Sequence, residues 1–203
     1  LSTPKALLFD LGKVLVPFDF SHAYAAMSLR TGLTSEEIRS RLAGTNLFRE
    51  FETGLMEPEP FAAAVMRVLG FECGLPEFTD IWTSIFLPET LIPDAVIASL
   101  SERYRLIVVS NTNVLHFDML RREYPIFRHF HDFALSYRIR AMKPAPEFYR
   151  AALTMAGCAP GECVFIDDIP ENVEGARMAG FDAIQFQDFR QLSGEFERRG
   201  IAL

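Results

Sequence analysis

Short apolar runs punctuate this chain at wide intervals, and each is continuous rather than alternating. Residues 6–9 read Ala-Leu-Leu-Phe, residues 106–109 Leu-Ile-Val-Val, and residues 164–166 Val-Phe-Ile. Such runs mark strands buried on both faces, as in parallel sheets. They predict strands over residues 5–9, 105–109, 163–166 and 182–186, with a weaker candidate at 133–136. Helical patterns lie between them from residue 93 onward. One covers 93–100 and begins with Pro93. A second is capped by Asn113 and runs to about residue 122, with Pro125 just beyond its end. A third covers 146–156 and stops at Gly157, and a fourth covers 172–179 and stops at Gly180. This alternation predicts an α/β fold with a doubly wound, mainly parallel sheet.

Residues 18–88 break the rhythm and read as helices only. Thr34-Ser35-Glu36-Glu37 is a capping box that opens one helix. Phe61, Val65, Val68 and Leu69 share the face of another, and Ile81, Ile85 and Phe86, near the sole Trp82, mark a third. The stretch is too long for a single crossover connection. It is expected to form a helical cap inserted over the active-site end of the sheet. The expected division is a core of residues 1–17 and 89–203 and a cap of residues 18–88, with hinges at Val16-Pro17 and Leu87-Pro88.

The polar residues that follow the apolar runs carry the candidate chemistry. Asp10 ends the first run, where open α/β sheets bind ligands. A carboxylate there can attack phosphorus and become an acyl phosphate. Gly12 follows in a tight turn that permits close backbone approach. Ser110-Asn111-Thr112-Asn113 follows the second run, and hydroxyl, amide and backbone N–H groups before a helix make a phosphate cradle. Asn113 is the better cap, and Ser110 and Asn111 the better phosphate contacts. Lys143, held extended before Pro144, offers a fixed ammonium. Asp167 and Asp168 are adjacent acids whose repulsion calls for a cation. Mg²⁺ binds through few carboxylates and fills its octahedron with water and substrate oxygens. Asp10, the Gly12 carbonyl, Asp168 and secondarily Asp167 are the candidate ligands.

Composition narrows the setting. About half of the 203 residues are hydrophobic, enough for one sizeable core, and the formal net charge of -7 argues against nucleic-acid or anionic-membrane partners. Cys73, Cys158 and Cys163 are odd in number and lack a CxxC spacing, so neither a disulfide framework nor a cysteine zinc site is expected. His116, His129 and His131 have no convincing metal spacing. No stretch reaches the roughly 18–20 apolar residues of a membrane span. The first strand begins near residue 5, which leaves no room for a signal peptide, so a cytoplasmic location is the default expectation.

As an ordered set, these stretches resemble the haloacid dehalogenase superfamily. The residues concerned are Phe9-Asp10-Leu11-Gly12, Val109-Ser110-Asn111-Thr112-Asn113, Met142-Lys143-Pro144, and Phe165-Ile166-Asp167-Asp168 with Asn172 and Glu174-Gly175-Ala176. Glu123-Tyr124-Pro125 adds a likeness to the branch similar to alpha-D-glucose-1-phosphate phosphatase. The resemblance implies a Mg²⁺-dependent phosphatase for a small metabolite, with a sugar phosphate foremost. It makes Asp10 nucleophile and metal ligand, Ser110 and Lys143 phosphate holders, and Asp168 the residue that completes the metal site. One departure bears on mechanism. Most phosphatases of the superfamily carry a second Asp two residues after the nucleophile as acid and base, and here that position is Gly12. Asp19 and His22, just inside the cap, are the expected substitutes. Residues 48–54 are expected to form the cap's substrate-selecting loop, with Glu52 meeting sugar hydroxyls and Arg49 a second anion. The alternatives are a catalytically silent protein that binds a metabolite or partner, and a 2-haloacid dehalogenase, which would need no acid pair at 167–168. The physiological substrate and the oligomeric state are not readable from the residues.

Overall fold

The computed structural model describes residues 3–203. Five parallel strands form one sheet: β1 (Ala6–Phe9), β2 (Arg105–Ser110), β3 (Asp132–Leu135), β4 (Cys163–Asp167) and β5 (Asp182–Gln185), in the order β3-β2-β1-β4-β5. All of β1 is fully buried, because it is central and covered on both sides. Its side chains alternate between two cores: Leu7 and Phe9 belong to one, Ala6 and Leu8 to the other.

Among the described residues, eleven α-helices surround the sheet. The first five follow β1 directly: α1 (Ser21–Thr31), α2 (Ser35–Ala43), α3 (Leu47–Glu52), α4 (Pro58–Leu69) and α5 (Leu75–Thr83). The remainder are α6 (Asp94–Ser101), α7 (Val114–Glu123), α8 (Ser136–Ile139), α9 (Pro146–Ala156), α10 (Pro170–Met178) and α11 (Phe189–Arg198). One sheet face packs on α6, α7 and α11 through Leu100, Phe117 and Phe196. The other packs on α9 and α10 through Phe148, Tyr149 and Val173. Three layers result, as a doubly wound sheet requires.

The first five helices enclose a third core of their own, centred on Phe51, Phe61, Phe78 and Trp82. Phe51 and Phe61 stack with ring centroids 4.0 Å apart, and Phe61 meets Trp82 edge-on at 4.9 Å. The capping box at Thr34 is made: the Glu37 amide donates to Thr34 Oγ1, and Glu37 accepts from the Thr34 amide. The third predicted helix needs correction. It ends at Thr83, and Ile85 and Phe86 lie in the returning segment. There the two crossings run side by side. Asp19 N–H donates to the Ile85 carbonyl at 2.7 Å and Leu87 N–H to the Pro17 carbonyl at 3.0 Å. The Tyr124 hydroxyl donates to the Leu87 carbonyl at 2.7 Å and ties the return to the sheet layer.

Two contacts seat this bundle on the sheet layer. The His116 ring of α7 stacks on Trp82 and bonds the Trp82 carbonyl at 3.0 Å. Gly54, in the left-handed region at φ 66°, lies so close to the Tyr137 carbonyl that a Cβ would sit 2.2 Å from its oxygen. Only glycine permits that approach. It pins the end of α3 against α8.

Candidate active site

β1 is the point where the sheet order reverses, with β2 on one side and β4 on the other, so a crevice opens at its carboxyl end. Phe9 is in register with both Val108 and Ile166, which brings Asp10, Ser110 and Asp167 to the same edge. Asp10 N–H continues the ladder to the Ile166 carbonyl at 2.8 Å.

Lys143 is the centre of the charged cradle. Its side chain is 1 % exposed, and its ammonium donates to Asp10 Oδ1 at 2.8 Å, Asp167 Oδ2 at 2.6 Å and the Val109 carbonyl at 2.9 Å. All three ammonium protons are therefore engaged. Asn111 sets the loop that carries it. Its side-chain NH₂ donates to the Lys143 carbonyl at 3.0 Å, and its Oδ1 accepts the Lys143 N–H at 2.8 Å. The Lys143–Pro144 bond is cis. Ser136 holds the preceding turn in the same reciprocal way, accepting from the Thr112 N–H and donating to the Thr112 carbonyl, each at 3.0 Å. Asn113 caps α7 by accepting the His116 N–H.

The adjacent acids behave differently. Asp167 is fully buried and accepts from Lys143, the Ile169 N–H at 2.9 Å, and the Asn172 side chain at 3.0 and 3.2 Å. Those bonds fill its acceptor positions. Asp168 is half-buried and turns to a cavity of about 200 Å³ that Asp10, Gly12, Ser110, Lys143 and Asn172 also line. Asp10 accepts the Leu11 N–H at 2.8 Å and the Lys143 ammonium, both on Oδ1.

The electrostatics leave this cradle short of positive charge. Oxygens of Asp10, Asp167 and Asp168 lie within 4.8 Å of one another. Burial pushes the Asp10 carboxyl up, Lys143 opposes this, and Asp167 adds to it. Burial and then Asp167 raise Asp168 as well. Burial alone would pull the Lys143 ammonium down, but Asp10 and Asp167 outweigh it and hold the group above its ordinary value. Three close carboxylates against one buried ammonium fit a divalent cation bound through oxygen.

The other wall is apolar. A Cβ on Gly12 would sit 2.6 Å from the Phe18 ring, so Phe18 occupies the space that a side chain at position 12 would need. Phe18 in turn meets Phe20 and Phe86 edge-on, at 5.5 and 6.2 Å. Between these rings, Gly12, Ser110 and Glu52 lies an inner chamber of about 80 Å³. His116 also faces it, with Nε2 on the Trp82 carbonyl and Nδ1 on Asn113. Burial pulls its ring down to about 4.

Some expected residues lie elsewhere. Asp19 is exposed and accepts the Ser21 N–H at the start of α1, and His22 is exposed against the Ser84 carbonyl. Neither lines the Asp10 cavity or the chamber beside it, where a substitute for an acid at position 12 was expected. The stretch 48–54 is mostly α3 rather than a loop. Arg49 and Glu52 both line an outer cleft of about 700 Å³ that reaches Lys143, and Glu52 alone of the two also faces the inner chamber. Phe18 had no signal in the sequence, because nothing local shows which side chain will lie over Gly12.

The family model for haloacid dehalogenase-like hydrolases matches residues 4–180. The chain is 27 % identical over 197 residues to a D-ribitol-5-phosphate phosphatase of Bacteroides thetaiotaomicron, covering 92 % of this chain and 95 % of that one. It is 30 % identical over 186 residues to the phosphatase MT3486 of Mycobacterium tuberculosis, covering 88 % and 85 %. Among solved structures, it superposes with a TM-score of 0.81 on the Bacteroides thetaiotaomicron HAD family enzyme bt-2542 in complex with magnesium and inorganic phosphate. That match has 26 % identity and covers 93 % of this chain and 98 % of that one. With the family model matching most of its length, the chain belongs to the haloacid dehalogenase-like hydrolases.

Proposed function

We propose that this hydrolase is a Mg²⁺-dependent phosphatase that removes phosphate from a small metabolite, a sugar phosphate foremost, through an aspartyl-phosphate. The observation that carries the reading is the Asp10 carboxylate, held on one oxygen by Lys143 and the Leu11 N–H at the mouth of an acidic cavity. That grip leaves Oδ2 to attack phosphorus in line. The Ser110 hydroxyl and the backbone after it meet the equatorial phosphoryl oxygens. Lys143 acts on the phosphoryl group mainly through its charge, because its protons are already engaged. Asp10, Asp168 and the Gly12 carbonyl would hold the magnesium, which supplies positive charge to the transferring oxygens. Asp167 positions Lys143 and Asn172.

Relatives named as phosphatases, and a structural neighbour that holds magnesium and phosphate, support the same chemistry. We read residues 18–88 as the cap and 1–17 with 89–203 as the core, with Arg49 and Glu52 facing substrate. No helix among the described residues is long and apolar enough to cross a membrane. The three free thiols fit a reducing, cytoplasmic compartment.

The test is phosphate release from a panel of sugar phosphates, acyl phosphates and p-nitrophenyl phosphate, with Mg²⁺ and with EDTA. Mg²⁺-dependent release that Asp10→Asn abolishes is the expected result. A folded wild-type protein that releases phosphate from none of them would favour a binding protein on this scaffold. The observation behind that second reading is Phe18, which fills the space over Gly12.

A further inference from the structure

The inner chamber poses a chemical problem. A sugar or alkyl hydroxyl leaves poorly as an alkoxide, so cleavage of its phosphate ester gains from a proton donor. Gly12 has no side chain to supply one, and Phe18 fills the space where one would lie. The ionisable groups around Asp10 can be taken in turn. Lys143 and Asp167 are fully engaged with each other and their neighbours. Asp168 belongs to the cation site. The Lys13 ammonium lies 5.3 Å from the Phe18 ring centroid, and an ammonium is a far weaker acid than a carboxyl. His116 is buried and neutral, with both ring nitrogens engaged. Asp19 and His22 line neither cavity.

Glu52 remains. It is the last residue of α3, and the Gly54–Tyr137 approach presses that helix end onto the core. It lines both the inner chamber, which adjoins the Asp10 cavity through the shared Gly12, Phe18, Ser110 and Asn111, and the outer cleft that reaches Lys143. Its side chain makes no hydrogen bond or ion pair among the described residues. We propose that Glu52, delivered from the helical bundle, is the general acid and base that position 12 lacks. The proposal rests on the phosphatase reading above. Burial raises its carboxyl from an ordinary 4.5 to about 7, which suits a group that gives and takes a proton near neutrality.

The steps balance. Asp10 Oδ2 bonds phosphorus as the bond from phosphorus to the leaving oxygen breaks. That electron pair stays on the leaving oxygen, which takes the Glu52 proton and departs as an alcohol. Glu52, now a carboxylate, then takes a proton from water as its oxygen bonds phosphorus. The bond to Asp10 breaks, its electrons return to the Asp10 carboxylate, and Glu52 ends protonated. The charged groups facing Glu52 are Arg49 on its own helix and Arg140, Lys143 and Glu147 across the cleft, with neutral His116 in the chamber.

The experiment compares wild type, Glu52→Gln and Glu52→Asp with Mg²⁺ on p-nitrophenyl phosphate and on alkyl and sugar phosphates, across the neutral pH range. In Glu52→Gln, kcat/KM for alkyl esters is expected to fall about 10²–10⁴-fold and for the aryl ester less than about 10-fold. The descending limb of the pH profile near 7 should also vanish, and Glu52→Asp should recover part of the alkyl activity. The alkyl-to-aryl ratio is internal to each variant, so a lower folded fraction does not move it. An equal loss on both ester classes, or no loss on alkyl esters, overturns the role of Glu52 while the phosphatase reading stands. A wild-type protein inactive on both classes overturns that reading, and this one with it.

Discussion

Asp10 stands between two walls built on opposite lines. The wall on the sheet side is polar and saturated: Lys143, Asp167, Asn111 and Asn172 answer one another bond for bond, and Ser136 holds the Thr112 backbone. The wall on the side of the helical bundle is aromatic, and its one unpaired acid is Glu52. Each wall accepts a different kind of change. A buried charge network loses heavily when one member goes, because the partner is left unpaired. An apolar wall responds to volume instead.

The largest expected effect is on the nucleophile that both walls share. Asp10→Asn should bring phosphate release to background with every ester, and residual Mg²⁺-dependent turnover would displace Asp10 from its role. Next comes Lys143→Ala. It strands Asp10 and Asp167, so urea denaturation should show a loss of about 3–5 kcal/mol along with the activity. A loss below about 1 kcal/mol would mean the cradle is less tightly coupled than its bonds imply.

The acid pair sharpens the contrast within the polar wall. Asp168→Asn should keep the fold and abolish the rise in melting temperature that Mg²⁺ gives over EDTA. Asp167→Asn should lower stability even in EDTA, since it breaks the bonds to Lys143 and Asn172. The same response from both variants would erase the distinction between ligand and positioning residue.

The apolar wall should answer to volume. Gly12→Ala is expected to cost about 1–3 kcal/mol, through the clash with Phe18. Phe18→Ala should relieve it in a double-mutant cycle, and strict additivity would place the two residues out of contact. The last effect concerns pH. Glu52 is raised from 4.5 to about 7 in the folded state, so the folded chain binds its proton more tightly than the unfolded chain does. Its contribution is present below pH 4.5 and lost as pH rises through 7. Glu52→Gln should therefore match wild type in urea below that window and exceed it above, and a constant offset at every pH would contradict the shift.

Much of the polar wall was legible from residues alone. Asp10, Ser110 and Asp167 each follow an apolar run, and a parallel sheet in register brings strand ends to one edge. Asn113 as a cap and the box at Thr34 were legible too, because their hydrogen bonds close within a few residues. The apolar wall was not. Asp19 and His22 stand just inside the cap in the sequence, yet both are exposed at the start of α1. The α11 helix and the short α3 were also missed as elements.

By itself, the sequence determined the buried strands, the helices that cap locally, and the identity of the charged groups at the strand ends. Those depend on hydrophobic period and on bonds between near neighbours, which a linear pattern carries. Tertiary structure alone decided that Phe18 fills the space over Gly12, that Asp167 binds Lys143 while Asp168 faces the cavity, and that Glu52 reaches the inner chamber. Each of these is a meeting of side chains remote in sequence or a choice between two neighbours. Such outcomes are settled by how the helical bundle docks on the sheet, through Trp82 on His116 and Gly54 on Tyr137, and no local pattern encodes that docking.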